Sequence, residues 1–292
     1  MHHILTQEPF ASRLRDIDAK LGDAKLGQSG THDIPALFSE IPLDVFAIAT
    51  CGGPSDYANM QAYFPKMPTD EFQAGWVGSS GEQLLRQSVL FVKTCIAQYE
   101  THSGCPVART RILDYGVGWG RIIRLFNRFV PEDQLFGVDA WEHILEVARG
   151  LGVRANLKTV SSYPRKLPFT NKFDLILAFS IFTHLSEKSA KLAARRCAES
   201  LSPKGIFVAT IRPIEFFQAV DHEAVRLSYE TRGFGFSPHP SIDAVDGDVP
   251  YGDAAIAVNY IHESWPWLKI MSLDYSMSDP AQLIVIMMRS QP

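Results

Sequence analysis

Residues 111–124 read Arg-Ile-Leu-Asp-Tyr-Gly-Val-Gly-Trp-Gly-Arg-Ile-Ile-Arg, and no other stretch constrains the fold as tightly. An apolar step, Ile112-Leu113, runs into Asp114. Glycines then occupy alternate positions 116, 118 and 120, and a second apolar run follows. The pattern predicts a buried strand that ends in a tight turn and opens into a helix over residues 119–130. Glycine there permits positive φ and lets a ligand lie against bare backbone, while a helix N-terminus offers unpaired N–H groups. Such a turn holds a nucleotide-like small molecule.

The dinucleotide-binding fingerprint requires a third small residue three positions after the second glycine. Counted from Gly116, that position is Arg121, and the spacing is instead D-x-G-x-G-x-G. A carboxylate at Asp114 is suited to accept from an ammonium group or to orient the amides of the loop. A second apolar strand, Leu135-Phe136-Gly137-Val138, ends in Asp139, which follows Gly120 by 19 residues. An acid roughly 20 residues beyond the glycine loop is the usual partner of vicinal ribose hydroxyls. The competing reading of Asp139 is an N-cap for a helix over 141–150.

Together these segments resemble the class I S-adenosylmethionine-dependent methyltransferases. Two later passages carry the same resemblance. Leu167-Pro168-Phe169 leads to Phe173-Asp174-Leu175-Ile176, and Leu201-Ser202-Pro203-Lys204-Gly205 precedes the apolar run 206–211. The resemblance is nearest to bacterial methyltransferase-domain proteins with a D-x-G-x-G-W-G-R loop, which act on diverse small molecules or saccharides. It implies S-adenosyl-L-methionine as cofactor, with Asp114, Gly116, Val117 and Gly118 beside its amino-acid end and Asp139 and Ala140 at the ribose. It further implies Phe179 and Ser180 at the end of the fourth strand. Where the family often carries an acid for the adenine amino group, this chain has Ser162 and Tyr163. The segment ahead of the first strand covers the cofactor in related proteins, so Trp76, Ser79 or Gln83 is expected at the pocket; Ser79 and Ser80 also fit as N-caps.

Alternating strand and helix patterns from 111 to 211 predict a doubly wound, mostly parallel seven-stranded sheet of α/β class. Strands are expected at 111–115, 135–138, 156–160, 173–179 and 206–211, with helices at 141–150 and 186–201. An antiparallel pair, 268–275 and 282–289, closes the chain after a helix over 256–265. Residues 1–82 form an N-terminal cap, with a helix over 9–21 and an ordered aromatic loop over 51–70. Residues 83–292 form the main domain, opened by a helix over 82–99 whose Leu84, Leu85, Val89, Val92 and Ile96 keep helical spacing. Residues 213–255 read as a loop-like insertion that covers an acceptor, with Phe216, Phe236 and Tyr251 facing it and Arg212 at its start.

His184 follows the fourth strand and is the candidate general base, because imidazole takes a proton near neutral pH. The alternative gives Thr183-His184 a structural role in turning the chain into the helix at 186. Trp119 either packs on neighbouring helices or faces the pocket. Arg121 and Arg124 read as helix-surface cations, with Arg121 near enough to the turn to meet a carboxylate. The His and Asp residues of 213–255 fit no metal-ligand spacing, so no metal is expected.

A net charge of −4, the absence of a basic stripe and the lack of an Asn-Pro-Pro-Tyr/Phe string point away from nucleic acid. No apolar run reaches membrane-span length. Four scattered cysteines and the lack of a signal-like N-terminus fit a reduced, cytoplasmic protein. The expected partner is a small-molecule or saccharide acceptor of O- or N-methylation. Two alternatives remain: a non-catalytic S-adenosylmethionine-binding regulator of the same fold, and an NAD(P)-dependent oxidoreductase.

Overall fold

The computed structural model of the protein describes residues 2–23, 33–51, 57–215, 223–276 and 279–290. Seven strands form one sheet in the order β3-β2-β1-β4-β5-β9-β8. The inner strands β1 (Ile112–Tyr115), β2 (Leu135–Asp139) and β4 (Phe173–Ala178) are covered on both faces, so they read as near-continuous apolar runs. The edge strand β3 (Asn156–Thr159) is polar and largely exposed, as an unprotected edge requires. β5 (Leu201–Ile211) pairs parallel with β4 and antiparallel with β9 (Asp279–Arg289), which also pairs with β8 (Leu268–Ser276). The expected terminal pair is present, with the last strand inserted beside β5.

β1 lies between β2 and β4, so the chain order reverses there and leaves a crevice at the carboxyl ends of β1 and β4. On one face of the sheet runs α6 (Gly81–Ser103), which buries Leu84, Ser88, Phe91, Val92, Cys95 and Tyr99 at helical spacing. It stops at Gly104, whose φ of 68° forms the left-handed cap and whose N–H bonds to Glu100 O. On the other face lies α8 (Glu187–Ser200), capped by the Ser186 side chain and lined with Ala190, Ala193, Ala194 and Cys197, small enough to sit close to the sheet. The four cysteines are unpaired, and among the described residues no helix is long and apolar enough to cross a membrane.

The N-terminal segment shares the core of the α6 face. Leu14 of α1 (Phe10–Asp23), Phe46 of α3 (Leu43–Thr50), Phe126 and Ile286 of β9 belong to one buried cluster. Phe38, Phe46 and Phe64 meet edge to face at 4.9–5.6 Å, adding aromatic-pair energy to area burial. Within the segment expected as loop, α4 (Ala58–Tyr63) forms just ahead of Phe64; α5 (Asp70–Val77) follows it, with α2 (Ile34–Leu37) earlier in the chain.

Two expectations are overturned. No α-helix spans 119–130: turns lead into a 3-10 helix at Ile123–Arg128. Gly120 sits at φ 84°, outside the helical region, and the Arg124 side chain turns back onto the loop. Its guanidinium is buried and donates to Gly120 O at 2.9 Å, Trp119 O at 3.4 Å, Pro65 O at 3.2 Å and Lys66 O at 3.0 Å. Arg124 is therefore an internal clamp between the glycine loop and the cap, not a surface cation. Second, the insertion is not loop-like. It contains α9 (Glu223–Arg232) and a hairpin of β6 (Phe234–Pro238) and β7 (Gly252–Ile256), so the helix expected from 256 starts at Val258, as α10 (Val258–Ser264). The strands carry Gly235 and Gly252 because a Cβ would stand 2.6 Å from Val225 O and 2.1 Å from Ser237 O.

Replacing Arg124 with Met leaves several buried carbonyls without a donor, and unsatisfied groups of this kind cost ~1–3 kcal/mol each. Chemical denaturation is expected to give a loss of about 3 kcal/mol for Arg124→Met. A loss below about 1 kcal/mol would mean that water replaces the guanidinium.

Candidate active site

The glycine loop is held from within. The amides of Gly116 and Val117 both donate to Val138 O, at 2.8 and 3.0 Å, and Gly118 N donates to Asp139 Oδ2 at 2.9 Å. Gly116, Gly118 and Gly120 all have positive φ, at 81°, 54° and 84°. A Cβ on Gly116 would stand 2.0 Å from Ile181 Cδ1, so this glycine makes room for the turn after β4. With no helix N-terminus present and three loop amides already bonded, the loop lacks the open donor cradle that a pyrophosphate needs.

Asp139 spends one oxygen on Gly118 and the other on Trp141 N, at 3.1 Å. Burial raises its pKa and these amide bonds oppose the rise. The carboxylate thus fixes the loop and the following turn while still facing the cavity. It does not act as the side-chain N-cap of α7 (Glu142–Gly150), whose N-cap is Trp141.

Asp114 is 2% exposed and its Oδ2 has no hydrogen-bond partner among the described residues. Burial pushes its pKa up to about 8, against a lowering by Arg121 and a further rise from Asp139. Arg121 Nη1 donates to Gln87 Oε1 at 2.7 Å and Ser88 Oγ at 3.2 Å, and its guanidinium lies 4.8 Å from the Phe179 ring centre. A buried carboxyl with one partnerless oxygen thus lies near a guanidinium at one end of the crevice, where Arg121 favours its ionisation against the cost of burial.

A cavity of about 730 Å³ extends from these groups across the crevice. Among the expected residues, Asp114, Gly116, Val117 and Gly118 line it, with Asp139, Ala140 and Ser162 further along. Phe179, Ser180, His184, Arg212, Tyr251 and Trp76 also contribute to its wall. Ser79, Gln83, Tyr163 and Phe236 are not part of that wall. Gln83 is exposed, and the helix contributes Gln87 one turn later. Ser80 rather than Ser79 is the N-cap of α6, with no side-chain cap bond, and the buried Gln73 accepts from Gly81 N instead. The Tyr163 hydroxyl donates to Asp248 Oδ2 at 2.7 Å, and burial raises its pKa. Phe236 packs against the α8-side core, and Phe216 lies outside the described residues. Trp119 packs with Leu84 and Ile144 while touching the cavity.

Ser180, at the end of β4, adopts φ 57°, a conformation that costs a non-glycine residue energy and persists only when neighbours fix it. Thr210 Oγ1 accepts from its amide at 2.7 Å, and Gln282 Nε2 donates to its hydroxyl at 3.3 Å. Beyond it the hairpin is mounted by main-chain bonds: Gly252 N to His184 O, Ala254 N to Thr183 O, and Ile256 N to Arg212 O. This mounting brings His239, Tyr251 and Asp253 next to His184 and Arg212. His184 Nδ1 bonds to Gly252 O at 2.8 Å, and Arg212 Nη2 stands 3.3 Å from His184 Nε2. Arg212 Nη1 donates to Asp253 Oδ1 at 2.6 Å, and His239 Nε2 lies 3.1 Å from Asp253 Oδ2. Hydrogen bonding from His184, then from His239 and Arg212, holds Asp253 well below the usual carboxylate range.

Sequence reasoning missed Gln87, Trp141 and Asp253, and counted His239 only among the polar residues of the acceptor-covering segment. Trp141 edges onto Trp76 at 5.7 Å and tilts on Tyr251 at 5.1 Å, closing an aromatic roof. Its position two residues after Asp139 was the available signal. No signal joined His239 to Asp253, because only the pairing of β6 with β7 brings them together.

Residues 112–205 match the family described as "Methyltransferase domain". The fold is similar to that of an S-adenosylmethionine-dependent methyltransferase from Clostridium acetobutylicum, with a TM-score of 0.53 and 13% identity over 76% of this chain and 97% of that one. Similar as well are the CcbJ methyltransferase from Streptomyces caelestis, at TM-score 0.48 and 14% identity over 77% and 99%, and a magnesium protoporphyrin IX methyltransferase from Synechocystis, at 0.47 and 14% over 80% and 97%. No curated protein matches the sequence. Residues 112–205 thus match a methyltransferase domain, and the fold around them is similar to that of a solved S-adenosylmethionine-dependent methyltransferase.

Because Asp114 keeps its proton in the folded chain up to about pH 8, while an unfolded aspartate loses it near 3.8, stability falls as pH rises through that window. Asp114→Asn removes this dependence. Its stability relative to the parent chain, measured by denaturation, is expected to improve steadily from pH 5 to 8; parallel pH profiles would contradict a buried, unpaired carboxyl.

Proposed function

We propose that the protein transfers a methyl group from S-adenosyl-L-methionine to oxygen or nitrogen of a small-molecule or saccharide acceptor. The observation that carries this reading is a buried carboxyl oxygen without a partner, Asp114 Oδ2, within electrostatic reach of the Arg121 guanidinium. Asp114 would accept from the ammonium of the cofactor's amino-acid end, and Arg121 would meet its carboxylate. Asp139 retains a second lone pair on each oxygen after bonding Gly118 and Trp141, enough for two ribose hydroxyls. Ala140, Trp141 and Ser162 line the continuation where a flat base would lie. The cofactor supplies an electrophilic methyl on a sulfonium. The chain's own residues orient it and exclude water, with Trp76, Trp141 and Tyr251 as the roof.

The bonded loop amides speak against an NAD(P)-dependent oxidoreductase, since a pyrophosphate would find few free donors there. The continuation of the cavity to His184 and Arg212 favours an enzyme over a cofactor-binding regulator, because a regulator has no use for acceptor space beyond the cofactor.

Calorimetric titration of the full chain with S-adenosylhomocysteine is expected to give binding, and titration with NADH none. Asp114→Ala should weaken the first at least about tenfold, through loss of a charge-assisted hydrogen bond. Affinity should increase from pH 6 to 8 as Asp114 gives up its proton. Binding of NADH with no binding of S-adenosylhomocysteine would reverse the reading.

A further inference from the structure

The acceptor half of the cavity holds two imidazoles in unequal states. His184 has both ring nitrogens engaged. The Gly252 carbonyl only accepts, so Nδ1 carries the hydrogen, and Nε2 then faces Arg212 Nη2 at 3.3 Å. The ring is also stacked on Tyr251 at 5.0 Å with an interplanar angle of 12°. A proton arriving at Nε2 would have to displace a guanidinium N–H and create a cation against a cation. His184 thus fits the structural role weighed for it above.

His239 stands otherwise. Its Nε2 lies 3.1 Å from Asp253 Oδ2, and a carboxylate accepts, so Nε2 carries the hydrogen and Nδ1 keeps its lone pair. Among the described residues nothing bonds to that Nδ1, and the ring lines the cavity. Asp253 is fixed in turn by Arg212 at 2.6 Å, so the dyad is anchored to the end of β5. The groups that face His239 are Asp253 on β7, Tyr251 with its ring centre 5.4 Å away, and His184 at 6.2 Å from the turn after β4. A nucleophile's base held by a carboxylate at its far nitrogen is the arrangement that general-base catalysis uses.

We infer that His239 Nδ1, oriented by Asp253, takes the proton of the methyl acceptor, which is therefore a hydroxyl or amine carrying a hydrogen to lose. The inference rests on the methyl-transfer reading. In the step, the acceptor atom forms its bond to the methyl carbon as the carbon–sulfur bond breaks, with its electron pair going to sulfur. The acceptor hydrogen passes to Nδ1 as a proton, and the partly exposed imidazolium returns it to water. His184, His239 and Asp253 also have ligand atoms within 4.8 Å of one another, as a metal site would. The Arg212 guanidinium bonded to Asp253 puts a cation in that space already, which favours the proton-transfer assignment.

Two measurements on the full chain with S-adenosylhomocysteine decide the matter. In a crystal structure, the cofactor sulfur marks the methyl position. His239 Nδ1 should open onto the space beyond it at no more than about 8 Å, the reach of one S–methyl bond, one near-attack gap and one hydrogen bond. Long-range 1H–15N spectra of the neutral ring should place the His239 hydrogen on Nε2 with a preference of about tenfold, falling towards parity in Asp253→Asn. His184 should keep its hydrogen on Nδ1 in both proteins. A hydrogen on His239 Nδ1, an unchanged preference in Asp253→Asn, or protein lying between His239 and the sulfur overturns the assignment. Failure of S-adenosylhomocysteine to bind at all overturns instead the methyl-transfer reading beneath it.

Discussion

The placement of the buried Arg124 guanidinium governs how the loop and the cap meet. A cation removed from water needs acceptors on every side, and here they are main-chain carbonyls from two separate segments, 119–120 and 65–66. Burial lowers its pKa, the mark of a charge held against its preference for water. The clamp does two things at once. It ties down the carbonyls at the end of the glycine loop, and it fastens the chain that leads through α5 to Trp76. Arg128 and Arg154 repeat the device nearby, donating to Ile41 O and Tyr63 O. The cap is thus joined to the sheet by arginine-to-carbonyl bonds as well as by shared apolar core.

The crevice shows what such fastening achieves. Three of its walls are supplied by the ends of β1, β2 and β4, positioned by the sheet. The roof comes from elements far apart in sequence, and each is tied down by polar bonds to the backbone or by ring contacts. Asp248 illustrates the economy of the arrangement, since one carboxylate oxygen accepts from both Tyr163 and Ser186. That bond pair links the stretch after β3, the start of α8 and the hairpin loop.

How much of this was legible in the sequence follows from the range of each interaction. The five parallel strands, the terminal antiparallel pair, α6 and α8 were all readable, because their patterns depend on local periodicity and, for the inner strands, on being covered from both sides. The placement of Asp114 and Asp139 at strand ends was readable for the same reason. The missing helix after the glycine loop was not, since the deciding facts are Gly120's positive φ and contacts between Arg124 and residues some sixty positions earlier. The hairpin was hidden by its glycines. Gly235 and Gly252 look like loop residues, yet they are required by backbone passing within 3 Å of where their side chains would begin.

The hairpin's attachment has a consequence for how the protein changes over generations. Gly252, Ala254 and Ile256 hold it to the sheet through amide hydrogens donated to His184, Thr183 and Arg212 carbonyls, groups that every residue except proline can provide. These main-chain bonds do not depend on which side chains face the cavity. Mutation can exchange the ring at 251 or the loop around 242 without unseating the strands. A lineage with this architecture can vary the hairpin half of the cavity by drift in a few positions, while the half lined by the glycine loop and the two buried acids stays under stricter constraint.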